Sequence, residues 1–324
     1  MPNLETLLAR AIDDESVVDA LDDGFNALGT RYSGKVRENF SANGERIIVV
    51  SDRVSAFDVV LGTIPFKGQV LNQLAQFWFE RTADLMPNHM LSVPDPQVMR
   101  TVECAPIPVE FVVRGYLTGV SSTSIGQAYV RGERHFCGHD LEDGMVMHQR
   151  LPRSILTPST KAPKGGHDES VSAEELFARG LIDPPTFADL EARCLTLFEA
   201  GQRIAAARGL ILVDTKYELG RRPDGEIVLI DEIHTPDSSR YWYAEGYEAA
   251  MAAGEAPRSL DKEFLRRWLA AQGFLGEGAP PPLSREIRLE AARRYVETFE
   301  TLTGTRFEPA PTPPMPRLRR NLGL

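Results

Sequence analysis

Residues Ile211 to Trp242 read ILVDTKYELGRRPDGEIVLIDEIHTPDSSRYW, and their acids and bases recur at a spacing that could hold a metal and a phosphate. Two apolar-rich runs flank Arg222-Pro223-Asp224-Gly225, where Pro in second place and Gly in fourth signal a type I turn. With Pro223 and Asp224 as the central turn residues, the spacing predicts an antiparallel hairpin that pairs Lys216 with Asp231. A strand's period of two then sets Asp214, Lys216, Glu218 and Asp231 on one face. Directly opposed Cβ atoms lie ~5 Å apart and diagonal ones ~7–8 Å apart, so Glu218 and Asp231 form a diagonal pair able to converge on one cation. Mg²⁺ often keeps only one or two protein carboxylates, with phosphates and water completing its octahedron. A solvated strand face of alternating charge reads the same way, and a one-residue slip in register would turn Asp231 to the opposite face. The sequel favours a site: HTPDSSR places turn formers, two hydroxyls, an acid and Arg240 directly behind the paired strands.

Other stretches add to this inventory. Gly29 to Lys35 spells GTRYSGK, close to the phosphate-binding GxxxxGK[ST], but Val36 replaces the hydroxyl and a strand follows where that motif needs a helix. What remains is a glycine loop between strands carrying Lys35 and Arg37, able to lie over phosphates as a kinase glycine loop does. The stretch LPRSILTPSTKAPKGGHDES (151–170) is irregular and rich in functional side chains, as binding loops are. His167 stands there beside Asp168. GxSxG and HExxH are absent, and no Cys has a clear His partner. Loop cations (Lys35, Arg37, Arg114, Lys161, Lys216, Arg240) face loop acids (Asp168, Asp214, Glu218, Asp231, Asp237). Phosphoryl transfer needs this set, because its catalysis is mostly positioning and charge neutralisation.

The elements that must position these groups alternate in type. The strand–turn–strand around Ala42-Asn43-Gly44 precedes a buried run Ile47–Val50, and Val70 to Leu85 forms an amphipathic helix with Leu71, Leu74, Phe77 and Trp78 facing the core. The proline-punctuated segment 94–108 reads as a hinge, and VEFVVRGYL as a strand ending at Arg114-Gly115. Ser172 and Glu175 form a capping box, and Asp183-Pro184 starts a long helix to Arg208 with Gly209 behind it. Two further helices are expected near 261–272 and 284–303, and the tail from Pro309 as a loosely tied surface strap. The 324 residues suit two lobes, divided as 1–108 and 109–324. A net charge of -10 argues against a general nucleic-acid or membrane-surface binder, yet a local basic cluster can still recruit small anions. Three dispersed cysteines, no signal peptide and no run of about 18 apolar residues point to a cytoplasmic chain without structural zinc.

Six blocks together resemble the SAICAR synthetase family: SGKVRENF (33–40), SDRVSAFD (51–58), VVRGYLTG (112–119), LTPSTKAPKGGHDE (156–169), DTKYELG (214–220) and DEIHTPDSSRYW (231–242). They occur in family order from about residue 30 to 245, and the form with TPSTK is similar to the longer, fungal-type branch. The resemblance implies a two-lobed α+β fold whose ATP-binding lobe is similar to a protein kinase or ATP-grasp enzyme. It implies an ATP-dependent ligase that joins L-aspartate to the carboxylate of CAIR, with ATP and Mg²⁺ as cofactors. Only small-molecule partners are implied, with neither nucleic acid nor membrane, and the expected state is a monomer or small homo-oligomer.

Roles follow at the matched positions. Gly34, Lys35 and Arg37 would cover the ATP phosphates, with the segment near Cys104–Pro108 beside the adenine, and Glu218 and Asp231 would hold Mg²⁺. Arg114 and Arg240 would grip the ribose phosphate of CAIR, where a guanidinium bonds in bidentate fashion, with Lys161 nearby. Lys216 would bridge phosphate and substrate, and Asp168 and Asp214 would surround the CAIR carboxylate and amine. Ser55, Asp58 and Lys67 would form the aspartate pocket. Family members commonly carry Ser directly after the RGYxTG glycine; Val120 stands here, leaving Ser121 or Ser122 to supply that hydroxyl. Two other readings share the nucleotide half: a kinase-like phosphotransferase acting on a hydroxyl, which would lack the expected HRD and DFG elements, and a non-catalytic nucleotide-binding module.

Overall fold

The computed structural model describes residues 3–57, 59–120, 123–161, 169–260 and 262–324. In chain order these form α1 (Leu4–Asp13), β1 (Thr30–Ser33), β2 (Arg37–Ala42), β3 (Glu45–Val50), β4 (Arg53–Ala56), β5 (Val59–Thr63), α2 (Lys67–Arg81), β6 (Met90–Asp95) and β7 (Val98–Val102). There follow β8 (Ala105–Tyr116), α3 (Ile125–Val130), β9 (His135–Phe136), β10 (His139–Asp140), β11 (Arg150–Leu156), β12 (Ser159–Thr160), α4 (Ala173–Ala178) and α5 (Pro184–Ala206). The rest is β13 (Leu210–Arg221), β14 (Ile227–Ile230), β15 (Ser239–Tyr243), α6 (Tyr247–Ala253), α7 (Glu263–Ala271), α8 (Arg285–Thr303) and α9 (Pro314–Leu322). The fold is α+β.

Two antiparallel sheets dominate. One is five-stranded in the order β1-β2-β3-β7-β6; the other runs β11-β8-β13-β14, with β12 also on β8 and β15 also on β13. Helix α2 packs against β3 and α8, burying Leu71, Leu74 and Trp78 while Phe77 stays partly covered. Each fully buried side chain of that size contributes roughly 1.5–3 kcal/mol. On the second sheet lies α5, entered through Asp183, whose carboxylate caps the Thr186 N–H at 2.9 Å. Leu190, Cys194, Leu197 and Phe198 face inward from it. A Cβ on Gly201 would fall 2.3 Å from the His234 ring, so glycine lets this helix press onto the loop behind β14. Among the described residues, no helix is long and apolar enough to cross a membrane.

Three stretches carry more regular structure than the sequence suggests. The proline-punctuated segment 94–108 is mostly strand, with β7 and β8 separated only by Glu103 and Cys104, where the chain passes from the first sheet to the second. The start of the expected binding loop pairs with β8 as β11, and a register shift between Arg150 and Ile155 accommodates Pro152. The tail is no loose strap. Its final helix, α9, inserts Arg317 between Asp95 (2.9 Å) and Gln97 (2.5 Å), with side chains of Arg317 and Asp95 only 6% and 0% exposed. Local signals are weak in all three places, and long-range pairing decides the outcome.

Candidate active site

The site is built on β13, whose alternation places Asp214, Lys216 and Glu218 on one side as the sequence predicts. Its neighbours supply the partners. Asp214 is in register with Arg114 of β8 on one flank and Arg240 of β15 on the other. Its Oδ2 accepts from Arg114 at 3.5 Å and more closely from Arg240, while Arg114 Nε donates to the Thr157 hydroxyl at 2.8 Å. Burial works against the charge on Arg114, and the nearby Arg240 adds to that; Asp214 offsets it only in part, so its pKa is lowered. Lys216 Nζ lies 2.8 Å from Glu110 and 2.6 Å from the Glu218 carboxylate. Lys161 donates to the other Glu218 oxygen. Burial opposes the Lys216 charge, but Glu218, Glu110 and Asp231 outweigh it and hold the ammonium well above the ordinary lysine range. Burial would raise Glu218; Lys216 and Lys161 more than offset it and keep this carboxyl well below the usual carboxylate range.

The hairpin differs from expectation by one residue. The ladder pairs Glu218 with Ile230 and Arg221 with Ile227, so Lys216 does not oppose Asp231. Pro223 and Asp224 do occupy the turn, closed by Gly225 N–H to Arg222 C=O at 2.9 Å. Gly225 then adopts φ +94° and Arg222 N–H bonds Glu226 C=O at 2.8 Å, giving a three-residue loop. A type I turn twists against flanking strands unless such a left-handed residue follows it. The slip would turn Asp231 away from Glu218. Instead β14 ends at Ile230 and Asp231 takes φ +67°, which swings its carboxylate to Arg37 at 2.9 Å and within electrostatic reach of Glu218. Burial, with Glu218 and Glu232 adding to it and Arg37 opposing, pushes Asp231 up to about 6.

A pocket of about 160 Å³ opens beside these strands, lined by five cations (Arg114, Lys216, Arg240, Lys262, Arg266) against two acids, Asp214 and Asp237. Thr215, Ser238 and Ser239 add hydroxyls. A chain of net charge -10 thus concentrates positive charge where a small polyanion could enter.

The glycine loop lies between β1 and β2. Gly34 N–H closes it on Arg37 C=O at 2.8 Å. From below, Arg53 donates Nε to the Lys35 carbonyl (2.8 Å) and Nη2 to the Gly34 carbonyl (3.1 Å) and to Glu38 (2.9 Å). Arg37 points inward, to Asp231 and Glu232, each at 2.9 Å. Lys67 is wholly buried, 2.9 Å from Asp237 and 5.4 Å from the Tyr295 ring centre, and meets the pocket only through that acid. Ser55 sits half-buried on β4, outside the pocket's lining. Asp58, Ser121, Ser122, His167 and Asp168 lie outside the described residues.

Glu110, Arg53, Glu232, Lys262 and Arg266 are the functional neighbours that sequence reasoning missed. Glu110 shares strand parity with Arg114, and Lys262 and Arg266 are four apart at the start of a helix, so both patterns were available. As to a metal, no group of three or more His, Cys, Asp or Glu able to hold one occurs among the described residues. Glu218, paired with Lys216 and Lys161, and Asp231, paired with Arg37, are two largely buried carboxylates whose present partners a divalent ion would have to displace. Two such carboxylates suit Mg²⁺, which takes few protein carboxylates when phosphates complete its shell.

Comparison with known proteins agrees. The family model described as SAICAR synthetase matches residues 30–279. The phosphoribosylaminoimidazole-succinocarboxamide synthase of Bacteroides fragilis is 50% identical over 289 residues, 87% of this chain and 90% of its own. The SAICAR synthase of Saccharomyces cerevisiae, solved with SAICAR, superposes with TM-score 0.76 at 29% identity, over 90% of this chain and 99% of its own. A type-2 SAICAR synthetase solved with ADP shares the fold at TM-score 0.66 and 23% identity, over 86% of this chain and 100% of its own.

Proposed function

The chain belongs to the SAICAR synthetase family, and on that premise we propose that the basic pocket is where L-aspartate meets CAIR. The enzyme is an ATP-dependent carbon–nitrogen ligase of de novo purine biosynthesis that joins L-aspartate to the CAIR carboxylate, giving SAICAR, ADP and phosphate. A carboxylate is a poor electrophile. Transfer of the γ-phosphoryl of ATP to a CAIR carboxylate oxygen releases ADP and leaves an acyl phosphate. The neutral amine of aspartate attacks the acyl carbon, the bond to the phosphate oxygen breaks, and the nitrogen loses a proton as phosphate departs.

All three substrates are anions, so the chain's contribution is chiefly electrostatic and orientational. In this reading Arg114 and Arg240 grip the ribose phosphate, both held by Asp214 between them. Lys262 and Arg266 extend the same positive wall. Lys216 reaches from the nucleotide end to CAIR and stabilises charge as it moves between the two, with Lys161 beside it. Asp168 joins Asp214 around the CAIR carboxylate and amine, and Ser121 supplies a phosphate contact. Gly34 and Lys35 cover the ATP phosphates, while Arg37 orients Asp231. Glu218 and Asp231 would hold Mg²⁺, which neutralises phosphate charge when bound. Aspartate enters near the β4–β5 hairpin, with Ser55, Asp58 and, through Asp237, Lys67. The division into 1–108 and 109–324, a cytoplasmic location and a monomer or small homo-oligomer belong to the same proposal.

One observation carries the site assignment: Asp214 lies between two arginines on adjacent strands, with Lys216 two residues on and lining the same pocket. Purified protein with ATP, Mg²⁺ and CAIR is expected to release ADP only when L-aspartate is added. ADP release indifferent to aspartate, or a phosphorylated hydroxyl product, would overturn the reading.

A further inference from the structure

Glu110 and Glu218 are directly opposed across β8 and β13. Their side chains are only 11% and 14% exposed. Like charges directly opposite each other destabilise a sheet, and burial increases the penalty. Lys216 relieves it. It lies two residues before Glu218 on β13, in register with Val112, so Glu110 is its diagonal neighbour and a long side chain can reach it. Its ammonium sits between the two acids, at 2.8 Å and 2.6 Å.

The two acids are not equivalent. Glu218 also takes Lys161 and lies within electrostatic reach of Asp231; Glu110, opposite it on β8, is one strand farther from β14. If Glu218 is called away by a metal–nucleotide complex, Lys216 loses one seat. We infer that Glu110 is its second seat: a positioning residue that holds Lys216 in the pocket and lets Glu218 turn to the metal. This rests on the proposed metal role of Glu218. Without Glu110 the ammonium would stay on Glu218 and compete with the divalent ion there.

Coupling is what separates this role from simple packing. Contacting charged groups commonly couple by about tenfold in an equilibrium constant. ADP binding is followed by titration calorimetry at rising Mg²⁺ in the wild type, Glu110→Gln, Lys216→Ala and the double variant, with thermal melts confirming folding. The Mg²⁺ needed for half-maximal tightening is expected to rise about tenfold in Glu110→Gln and to be unaffected by that change when Lys216 is already Ala. Equal shifts in both backgrounds, or none in either, overturn the inference. Should Glu110→Gln melt out, Glu110→Asp, one methylene too short to reach, serves with the same criterion. Wild-type protein whose ADP binding ignores Mg²⁺ would overturn the metal role as well, so the two failures are distinguishable.

Discussion

Lys67 and Lys216 are the same residue in two settings. Each sits among carboxylates, Lys67 with Asp237 and Lys216 with Glu110 and Glu218. Lys67 is sealed. Its side chain is 0% exposed, Tyr295 of α8 lies over it, and Asp237 also takes the Tyr295 hydroxyl at 2.6 Å and Lys262 at 3.6 Å. Lys216 keeps 32% of its side chain open and faces the pocket. Lys67 joins α2 to the β14–β15 loop and α8, and it meets the pocket only through Asp237, which lines it. Lys216, missing a wall, can exchange partners. Accessibility distinguishes the two settings more sharply than charge inventory does, since the resemblance implies a place at the site for both.

The largest effect should come from the open side. Lys216→Ala is expected to lower turnover by on the order of 10³-fold, the scale of losing one preorganised electrostatic contact, while melting within a few degrees of wild type. Matching losses of turnover and stability, measured by ADP release and calorimetric melting, would erase the contrast. On the sealed side, Lys67→Ala leaves Asp237 short of one cation and should cost about 3 kcal/mol in denaturant unfolding, with Lys67→Met recovering part of it. A stable Lys67→Ala protein that turns over slowly would mean Lys67 serves the aspartate pocket more than the fold.

The smallest effect tests how closed that interior is. His234 has φ +52°, hydrogen-bonds the Tyr217 hydroxyl at 2.6 Å and packs on Trp78. Burial pushes its pKa down to about 3. The unfolded chain then binds a proton that the folded one refuses. Its contribution to stability is complete above pH about 6.5 and is lost as pH falls from there toward 3, at about 1.4 kcal/mol per unit. The stability advantage of wild type over His234→Gln should shrink by about 1 kcal/mol between pH 7 and 5.5; an unchanged advantage would mean the ring is not held neutral.

Much of the site was legible because it rests on short-range rules. The period of two on β13 follows from strand geometry, and the Pro223-Asp224 turn and the Ser172–Glu175 and Asp183 caps depend on neighbours three or four residues away. The SDRVSAFD block shows the limit. Resemblance points to Ser55 and Asp58 and is silent on Asp52, which accepts from Gly68 N–H at 2.9 Å at the start of α2, and on Arg53, which braces the glycine loop. Those contacts join residues far apart in sequence, and no local pattern announces them.

Sequence by itself determined that β13 carries its acids and base on one face, that a turn follows at 222–225, and which family the chain belongs to. Tertiary structure alone decided the register of that hairpin, the left-handed turn that returns Asp231 toward Glu218, and the pairing of Glu110 with Lys216. It also closed Lys67 off and opened Lys216. The physical reason is one of range: periodicity and turn chemistry act over a few residues, whereas a carboxylate's partner and its contact with water depend on which strands and helices pack around it.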